Sequence, residues 1–147
     1  MNFKQFFSEE KEEVISFDFD DTIALSQWDH ENNDYLRDEN NDIVQKPNKR
    51  IIDLIKDYKN KGYKVIVVTT RYDKWRQETE DQLKEWGVPI DEVHFTNGAW
   101  KANRLKKLGV FLHYDDDHEE LRRLKYKGIK GIRVNDFQGP IINTAWR

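Results

Sequence analysis

One stretch of the sequence decides the fold: Val14-Ile-Ser-Phe-Asp-Phe-Asp-Asp-Thr-Ile23. Its first six residues are rich in β-forming side chains and predict the first strand of a buried sheet. Asp18 and Asp20 lie at the point where that strand should end. Acidic clusters are often solvated faces or helix caps, but an unpaired carboxylate in a buried strand is costly. A functional role is therefore the favoured interpretation of Asp18 and Asp20.

Outward from this stretch, strand and helix signals alternate along the chain. Residues 24–47 lack helical periodicity and predict a loop or a small hairpin flap after the first strand. Further strands are expected at 64–69, 92–95, 110–114 and 129–134, and helices are expected to begin at Asn48, near Asp73, near Lys101 and at Asp117. This alternation predicts an α/β fold with a parallel five-stranded sheet and helices on both faces.

Composition limits the classes of protein and of site. The 147 residues fit a single domain, 1–147, with a flap at 23–47 and a C-terminal tail at 135–147 that we expect to dock on the body. The absence of cysteine excludes disulfides, zinc–thiolate sites and thiol catalysis. A net charge of −3 argues mildly against a long polynucleotide as partner.

No apolar run approaches the ~20 residues of a membrane span, and no signal peptide is apparent. We therefore expect a soluble, cytoplasmic protein with no membrane association. The sequence gives no indication of an obligate protein partner.

Polar residues collect at the carboxyl ends of the predicted strands, where parallel sheets bind ligands. They are Asp18, Asp20, Thr69, Thr70, Arg71, Asp115 and Asp116, together with Lys101 at the start of the third helix. These residue types suit phosphoryl transfer. A phosphate monoester repels a carboxylate nucleophile unless a hard divalent cation such as Mg²⁺ offsets the negative charge.

Each residue type has a predicted task in that chemistry. Asp18 and Asp116 would bind the metal through carboxylates, and Asp20 would bind it through its backbone carbonyl. The side chain of Asp20 would protonate the leaving oxygen and later deprotonate water. Thr69 and Lys101 would hold the transferring oxygens.

The ordered set of motifs resembles the haloacid dehalogenase (HAD) superfamily. Residues 14–23 resemble its first motif, Asp-x-Asp-x-Thr, although Asp21 stands where Gly is frequent. The strand ending at Thr69 resembles the second motif, Lys101 fits the third, and Tyr114-Asp-Asp116 resembles the paired-Asp fourth. Lys106 and Lys107 remain alternatives for the lysine.

The resemblance implies a three-layer Rossmann-like HAD fold and a Mg²⁺-dependent phosphatase. Asp18 would be the nucleophile and Asp20 the acid/base. Asp116 would bind the metal directly, and Asp115 would support the metal through a water molecule.

The gap after the first motif is too short for a cap domain, which limits the substrate-recognition elements. A flap with Trp28, His30, Tyr35 and Arg37 fits instead. The layout is similar to the phosphatase domain of phage-type polynucleotide kinase-phosphatases, which implies a nucleotide or a nucleic-acid 3′-phosphate end as substrate.

Candidate substrate-binding residues are Trp28, which could stack on a base, Thr70 and Arg71. Arg71 would either clamp a phosphate or pair with a surface acid. A kinase P-loop is absent from the sequence.

Other interpretations remain open. A phosphatase of another small metabolite, or a non-catalytic HAD-fold protein that recognises phosphate, would use the same residues; the retained Asp20 speaks against the second. A receiver-type signalling module groups similar residues, but the order of Asp-x-Asp, Thr, Lys and Asp-Asp favours the hydrolase. His30, His94, His113 and His118 show no metal-ligand spacing and are interpreted as ordinary.

Overall fold

A computed structural model of the protein describes residues 12–140, and its core is a five-stranded sheet. The strands along the chain are β1 (Val14–Phe17), β2 (Ala24–Ser26), β3 (Trp28–Asp29), β4 (Asp34–Tyr35), β5 (Gln45–Pro47), β6 (Lys64–Thr69), β7 (Glu92–Phe95), β8 (Val110–Asp115) and β9 (Lys130–Arg133). The central sheet has the order β7-β6-β1-β8-β9, and every neighbouring pair is parallel. The predicted parallel five-stranded sheet is confirmed.

Helices cover both faces of this sheet, as the alternating pattern predicts. They are α1 (Lys49–Asn60), α2 (Arg76–Glu85), α3 (Ala102–Lys107) and α4 (His118–Leu124), with short 3₁₀ turns at Asp73–Trp75 and Lys125–Lys127. Side chains of α1 and α2 pack in one apolar cluster, and those of α3 and α4 pack in another on the opposite face. The sequence predicts that helix α2 begins near Asp73. It begins at Arg76, because residues Asp73–Trp75 form a 3₁₀ turn.

The two-residue period of a strand decides which face each side chain of β1 serves. Ile15 and Phe17 belong to the cluster under α1 and α2, whereas Val14 belongs to the cluster under α3 and α4. Ser16 and Asp18 lie two and four residues after Val14, so their side chains lie on the same face of the sheet as Val14, towards α3 and α4. All four β1 residues are buried, which explains the nearly continuous apolar run in the sequence.

The segment after β1 forms the expected hairpin flap. Strand β2 pairs antiparallel with β5, and β3 pairs antiparallel with β4. The rings of Trp28 and Tyr35 meet edge-on in the flap, with centroids 5.2 Å apart, and both contact Phe137. The start of the C-terminal tail thus docks on the flap, while Ile141, Ile142 and Trp146 lie outside the described residues.

The two predicted helix caps have different outcomes. Asp117 caps α4, because its carboxylate accepts hydrogen bonds from the backbone N–H groups of Glu119 and Glu120. Asn48 precedes α1 but makes no side-chain cap, so that part of the prediction is wrong. Its side-chain Nδ2 instead donates to the Thr22 carbonyl at 3.0 Å and to an Asp136 carboxylate oxygen at 2.7 Å. The buried amide joins the first-motif turn to the C-terminal segment, a use that the local sequence does not reveal.

In the part of the chain that the structure describes, no helix combines the length and apolar character that crossing a bilayer requires.

We expect Asn48→Ala to destabilise the protein by about 2 kcal/mol, because it removes two hydrogen bonds of a buried side chain. Urea unfolding followed by circular dichroism measures the change. The matched control is Lys49→Ala, which removes an exposed ion pair and should cost less than about 0.5 kcal/mol. Equal effects of the two substitutions would contradict this role of Asn48.

Candidate active site

A solvent-open cleft lies at the carboxyl edge of the central sheet. The residues that line it are Asp18, Asp20, Asp21, Thr70, Lys101, Asp115, Asp116, Asp117, His118, Arg133, Val134, Asn135, Phe137, Gly139 and Pro140. The cleft therefore brings together residues from the first, third and fourth predicted motifs, and Thr70, which directly follows the second. Thr69, Arg71 and Trp28 are the predicted site residues that do not line it.

The position of the cleft follows from the strand order. From β1 the chain crosses to β6 and β7 on one side and later to β8 and β9 on the other, so the direction of winding reverses between β1 and β8. Ligands of doubly wound sheets bind at this reversal. The backbone N–H of Asp18 donates to the Tyr114 carbonyl at 2.9 Å, which holds the end of β1 beside Asp115 and Asp116.

Lys101 occupies the centre of the buried part of the site. Its ammonium donates to Asp18 Oδ1 and to Asp115 Oδ2, each at 2.7 Å. Glu120 holds the start of α3 in place, because its carboxylate accepts a hydrogen bond from the Lys101 backbone N–H. Lys106 and Lys107 are exposed, so Lys101 is the lysine that reaches Asp18.

The charges around Lys101 and Asp115 together shift the pKa of each group more than burial does. Burial alone would lower the pKa of Lys101, but Asp115 and Asp18 raise it above its ordinary value. Burial likewise would raise the pKa of Asp115, but Lys101 and His113 hold it well below the usual range. Lys101 is thus a fixed positive charge and Asp115 a fixed negative one.

The pKa values of Asp18 and Asp116 are raised, in contrast to the lowered pKa of Asp115. Burial raises the pKa of Asp18 well above its ordinary value, and the charge of Asp115 adds to the effect. Burial also raises the pKa of Asp116, to about 7, with Asp115 and Asp21 contributing further repulsion. The neighbouring protein groups therefore do not fully stabilise the ionised forms of these two carboxylates. A bound cation would stabilise them.

The carboxylates provide a donor set that fits a hard divalent cation. Asp18, Asp115 and Asp116 each offer an oxygen, and these oxygens lie within 4.8 Å of one another. Oxygen ligands of this type suit Mg²⁺. Asp115 already accepts hydrogen bonds from Lys101 and His113 at Oδ2 and from the Asp117 backbone N–H at Oδ1. Direct ligation consequently suits Asp18 and Asp116 better than Asp115.

The backbone of Asp20 could supply a further oxygen ligand. Among residues 12–140, no hydrogen bond to the Asp20 carbonyl oxygen is found. The next residue, Asp21, has a left-handed backbone with φ of 59°. Glycine adopts that conformation most easily, and Asp tolerates it at a modest cost. The Asp21 carboxylate accepts a hydrogen bond from the Ser26 N–H at 2.9 Å, which ties this turn to the flap.

The side chain of Asp20 is held by Arg71 and by the flap. Arg71 donates from Nε to Asp20 Oδ2 at 2.9 Å and from a terminal nitrogen to Oδ1 at 2.8 Å. Gln45 of β5 also donates to Asp20 Oδ1, at 2.8 Å. The remaining guanidinium nitrogen of Arg71 donates to Thr79. Arg71 therefore pairs with an acid in the structure, and that acid is Asp20. A role of Arg71 in holding a phosphate stays a prediction.

Two other predicted residues are placed away from the cleft wall. Thr69 is buried at the end of β6, where its hydroxyl accepts a hydrogen bond from the Arg71 N–H at 3.2 Å, while the neighbouring Thr70 lines the cleft. Trp28 packs against Phe137, and it is Phe137 that lines the cleft.

A buried chain of hydrogen bonds behind the site was missed in the sequence. The hydroxyl of Ser16 lies 2.6 Å from His113 Nδ1, and His113 Nε2 lies 2.7 Å from Asp115 Oδ2. Burial lowers the pKa of His113, so the neutral ring can accept from Ser16 and donate to Asp115. His113 is thus a support for Asp115, whereas the sequence suggested an ordinary histidine. The signal was the two-residue spacing of Ser16 before Asp18 and of His113 before Asp115.

Comparison with known proteins supports the fold. No family model matches the chain, and no curated protein matches it. Two solved structures, both of the Pnkp1/Rnl/Hen1 complex and one described as an RNA repair complex, contain a chain 22% identical over 88% of this protein, with TM-scores of 0.64 and 0.60. This protein spans only 44% and 47% of those chains.

A proposed 3-deoxy-D-manno-octulosonate 8-phosphate phosphatase from Vibrio cholerae shares 12% identity over 84% of this chain and 68% of its own. The TM-score of that comparison is 0.46. The likeness to the RNA repair structures establishes a shared α/β fold.

We expect Lys101→Met to destabilise the protein by about 3–5 kcal/mol, because two buried carboxylates lose their shared ammonium. Urea unfolding in metal-free buffer measures this loss. The control is Lys106→Met, which removes an exposed ammonium and should change stability by less than about 0.5 kcal/mol. A similar small effect at Lys101 would show that its charge is not needed to hold the carboxylates together.

Proposed function

We propose that the protein is a Mg²⁺-dependent phosphomonoesterase that forms an aspartyl-phosphate on Asp18. The observation that carries this proposal is the position of the Asp18 carboxylate. It lies at the floor of the cleft, with one oxygen on Lys101 and with Asp116 beside it. A bound Mg²⁺ would polarise the phosphoryl group and offset the repulsion between anionic substrate and anionic nucleophile.

In the first step an Asp18 oxygen attacks phosphorus, and the bond to the leaving oxygen breaks. The leaving oxygen takes a proton from Asp20, which has to be protonated and released from its ion pair with Arg71 when substrate binds. The Asp20 side chain lines the cleft and is 41% exposed. Lys101 keeps Asp18 oriented and adds a fixed positive charge next to the reacting oxygens. Arg71 and Gln45 determine where Asp20 lies before the reaction begins.

In the second step a water molecule attacks the phosphorus, and the bond to Asp18 breaks. Asp20 takes a proton from that water, so inorganic phosphate leaves and both carboxyl groups return to their starting state. A receiver-type phosphoacceptor has no need of such a residue. The position of Asp20 in the cleft therefore favours turnover over a lasting phosphoprotein and over simple phosphate binding.

The substrate class that we propose is a nucleotide or the 3′-phosphate end of a nucleic acid. The cleft is bordered by a small hairpin rather than a cap domain, which leaves room for the end of a longer chain. The likeness to chains of an RNA repair complex agrees with such a substrate. The net charge of −3 favours contact with a short end over contact with a long polynucleotide.

Replacing Asp18 by Asn should abolish turnover of p-nitrophenyl phosphate, lowering kcat by at least about 10³-fold, because the amide is no nucleophile. Acid-quenched labelling with a ³²P-phosphomonoester should detect a phosphoprotein in the wild type and none in Asp18→Asn. The control Asp53→Asn changes an exposed helix carboxylate and should leave both readouts unchanged. Retained turnover in the Asp18 variant would overturn the nucleophile assignment.

Replacing Asp116 by Ala should raise the Mg²⁺ concentration that gives half-maximal activity by about 10- to 100-fold, because one carboxylate ligand is lost. Calorimetric titration with Mg²⁺ in the absence of substrate gives a second readout. The control Asp81→Ala removes an exposed carboxylate of α2 and should not shift either curve. An unchanged titration for Asp116→Ala would refute its role as a ligand.

A further inference from the structure

Arg133 is a positive charge of the cleft that the proposed chemistry leaves unused. It ends β9 and is paired in register with Asp115 across the β8–β9 ladder, so it belongs to the same edge as the nucleophile. Within residues 12–140, the guanidinium of Arg133 has no hydrogen bond or ion pair. It lines the cleft and is exposed to solvent.

The other cations near the reacting groups are already occupied. Lys101 is shared between Asp18 and Asp115, and Arg71 is held by Asp20, Thr79 and Gln45. Among the described residues that line the cleft, Arg133 is therefore the Arg or Lys side chain without a carboxylate partner. An exposed guanidinium with five N–H donors is well suited to an oxyanion.

Arg133 belongs to a strand that is separated from β1 by β8. Strand β9 is two strands from β1, which at about 4.8 Å per strand separates their ends by roughly 10 Å. Because Lys101 already supplies the positive charge at Asp18, the anion that suits Arg133 is a second group of the substrate, apart from the phosphate attacked by Asp18.

An aromatic ring also lines the cleft that Arg133 lines. Phe137 lines the cleft and is fixed from behind by Trp28 and Tyr35, with ring centroids 6.2 and 5.9 Å away. Gly139 packs so closely on Phe137 and Trp28 that a side chain there would collide with both rings. The fixed ring of Phe137 offers a flat apolar surface for a base or a sugar in the same cleft.

We propose that Arg133 binds a second phosphate of the substrate, one nucleoside away from the phosphate that is removed, and that Phe137 packs against that nucleoside. This inference rests on the proposed function and names Arg133 as a specificity-determining residue. The preferred substrate is accordingly a 3′-phosphorylated chain of at least two nucleotides, in which a phosphodiester precedes the terminal nucleoside.

The test compares three substrates in wild type and in Arg133→Gln: the 3′-phosphorylated dinucleotide ApAp, adenosine 3′-monophosphate, and p-nitrophenyl phosphate. We expect the substitution to lower kcat/KM for ApAp by about 10- to 100-fold, mainly through KM, because one charge-assisted contact is lost. The two substrates without a second phosphate should change less than about twofold. Arg133→Lys should restore part of the ApAp activity.

The control variant Arg122→Gln removes an exposed guanidinium of α4 that pairs with Glu119 outside the cleft lining. It should leave all three substrates unaffected, which separates a local contact from a general loss of positive charge. Equal losses on all three substrates for Arg133→Gln, or no loss on any, would overturn the assignment of Arg133.

The same assay distinguishes this inference from the function on which it rests. Wild-type protein that hydrolyses none of the three substrates in the presence of Mg²⁺ would contradict the phosphatase proposal itself. Wild-type protein that hydrolyses p-nitrophenyl phosphate but shows no preference for ApAp over adenosine 3′-monophosphate would contradict only the second phosphate site.

Discussion

The buried ammonium of Lys101, held between Asp18 and Asp115, is the interaction on which the site depends. It joins the start of α3 to the ends of β1 and β8, two neighbouring strands that are far apart in sequence. Two carboxylates at this depth would repel each other and would resist burial without a shared cation. The ammonium allows Asp18 to remain close to Asp116 at the floor of the cleft.

Two carboxylates near that ion pair, Asp115 and Asp20, are held by hydrogen bonds from different parts of the fold. Asp115 is held from the sheet side through His113 and Ser16, so its orientation depends on buried strand residues. Asp20 is held from the open side by Arg71 and by Gln45 of the flap. The proposed nucleophile thus rests on the rigid sheet, while the proposed acid/base is linked to a surface hairpin. A substrate that contacts the flap could for that reason influence the position of Asp20.

Much of the fold and the list of motif residues could be predicted because each leaves a local pattern. Continuous apolar runs marked β1 and β6, and glycines after helical stripes marked helix ends. The carboxylates Asp18, Asp115 and Asp116 do meet in the structure. Contacts between distant segments left no such pattern. Asn48 looked like a helix cap, yet its amide binds Thr22 and Asp136.

The sequence by itself determined the succession of strands and helices along the chain. It also determined that Asp18, Lys101 and Asp116 cluster at one sheet edge, and the type of chemistry that such groups favour. Those features follow from the spacing of apolar and polar residues, because parallel strands all present their carboxyl ends at the same edge. Only the tertiary structure decided how the charges are paired. Arg71 is held by Asp20 while Arg133 faces the cleft, because pairing depends on distances of a few ångströms between side chains that the linear sequence does not encode locally.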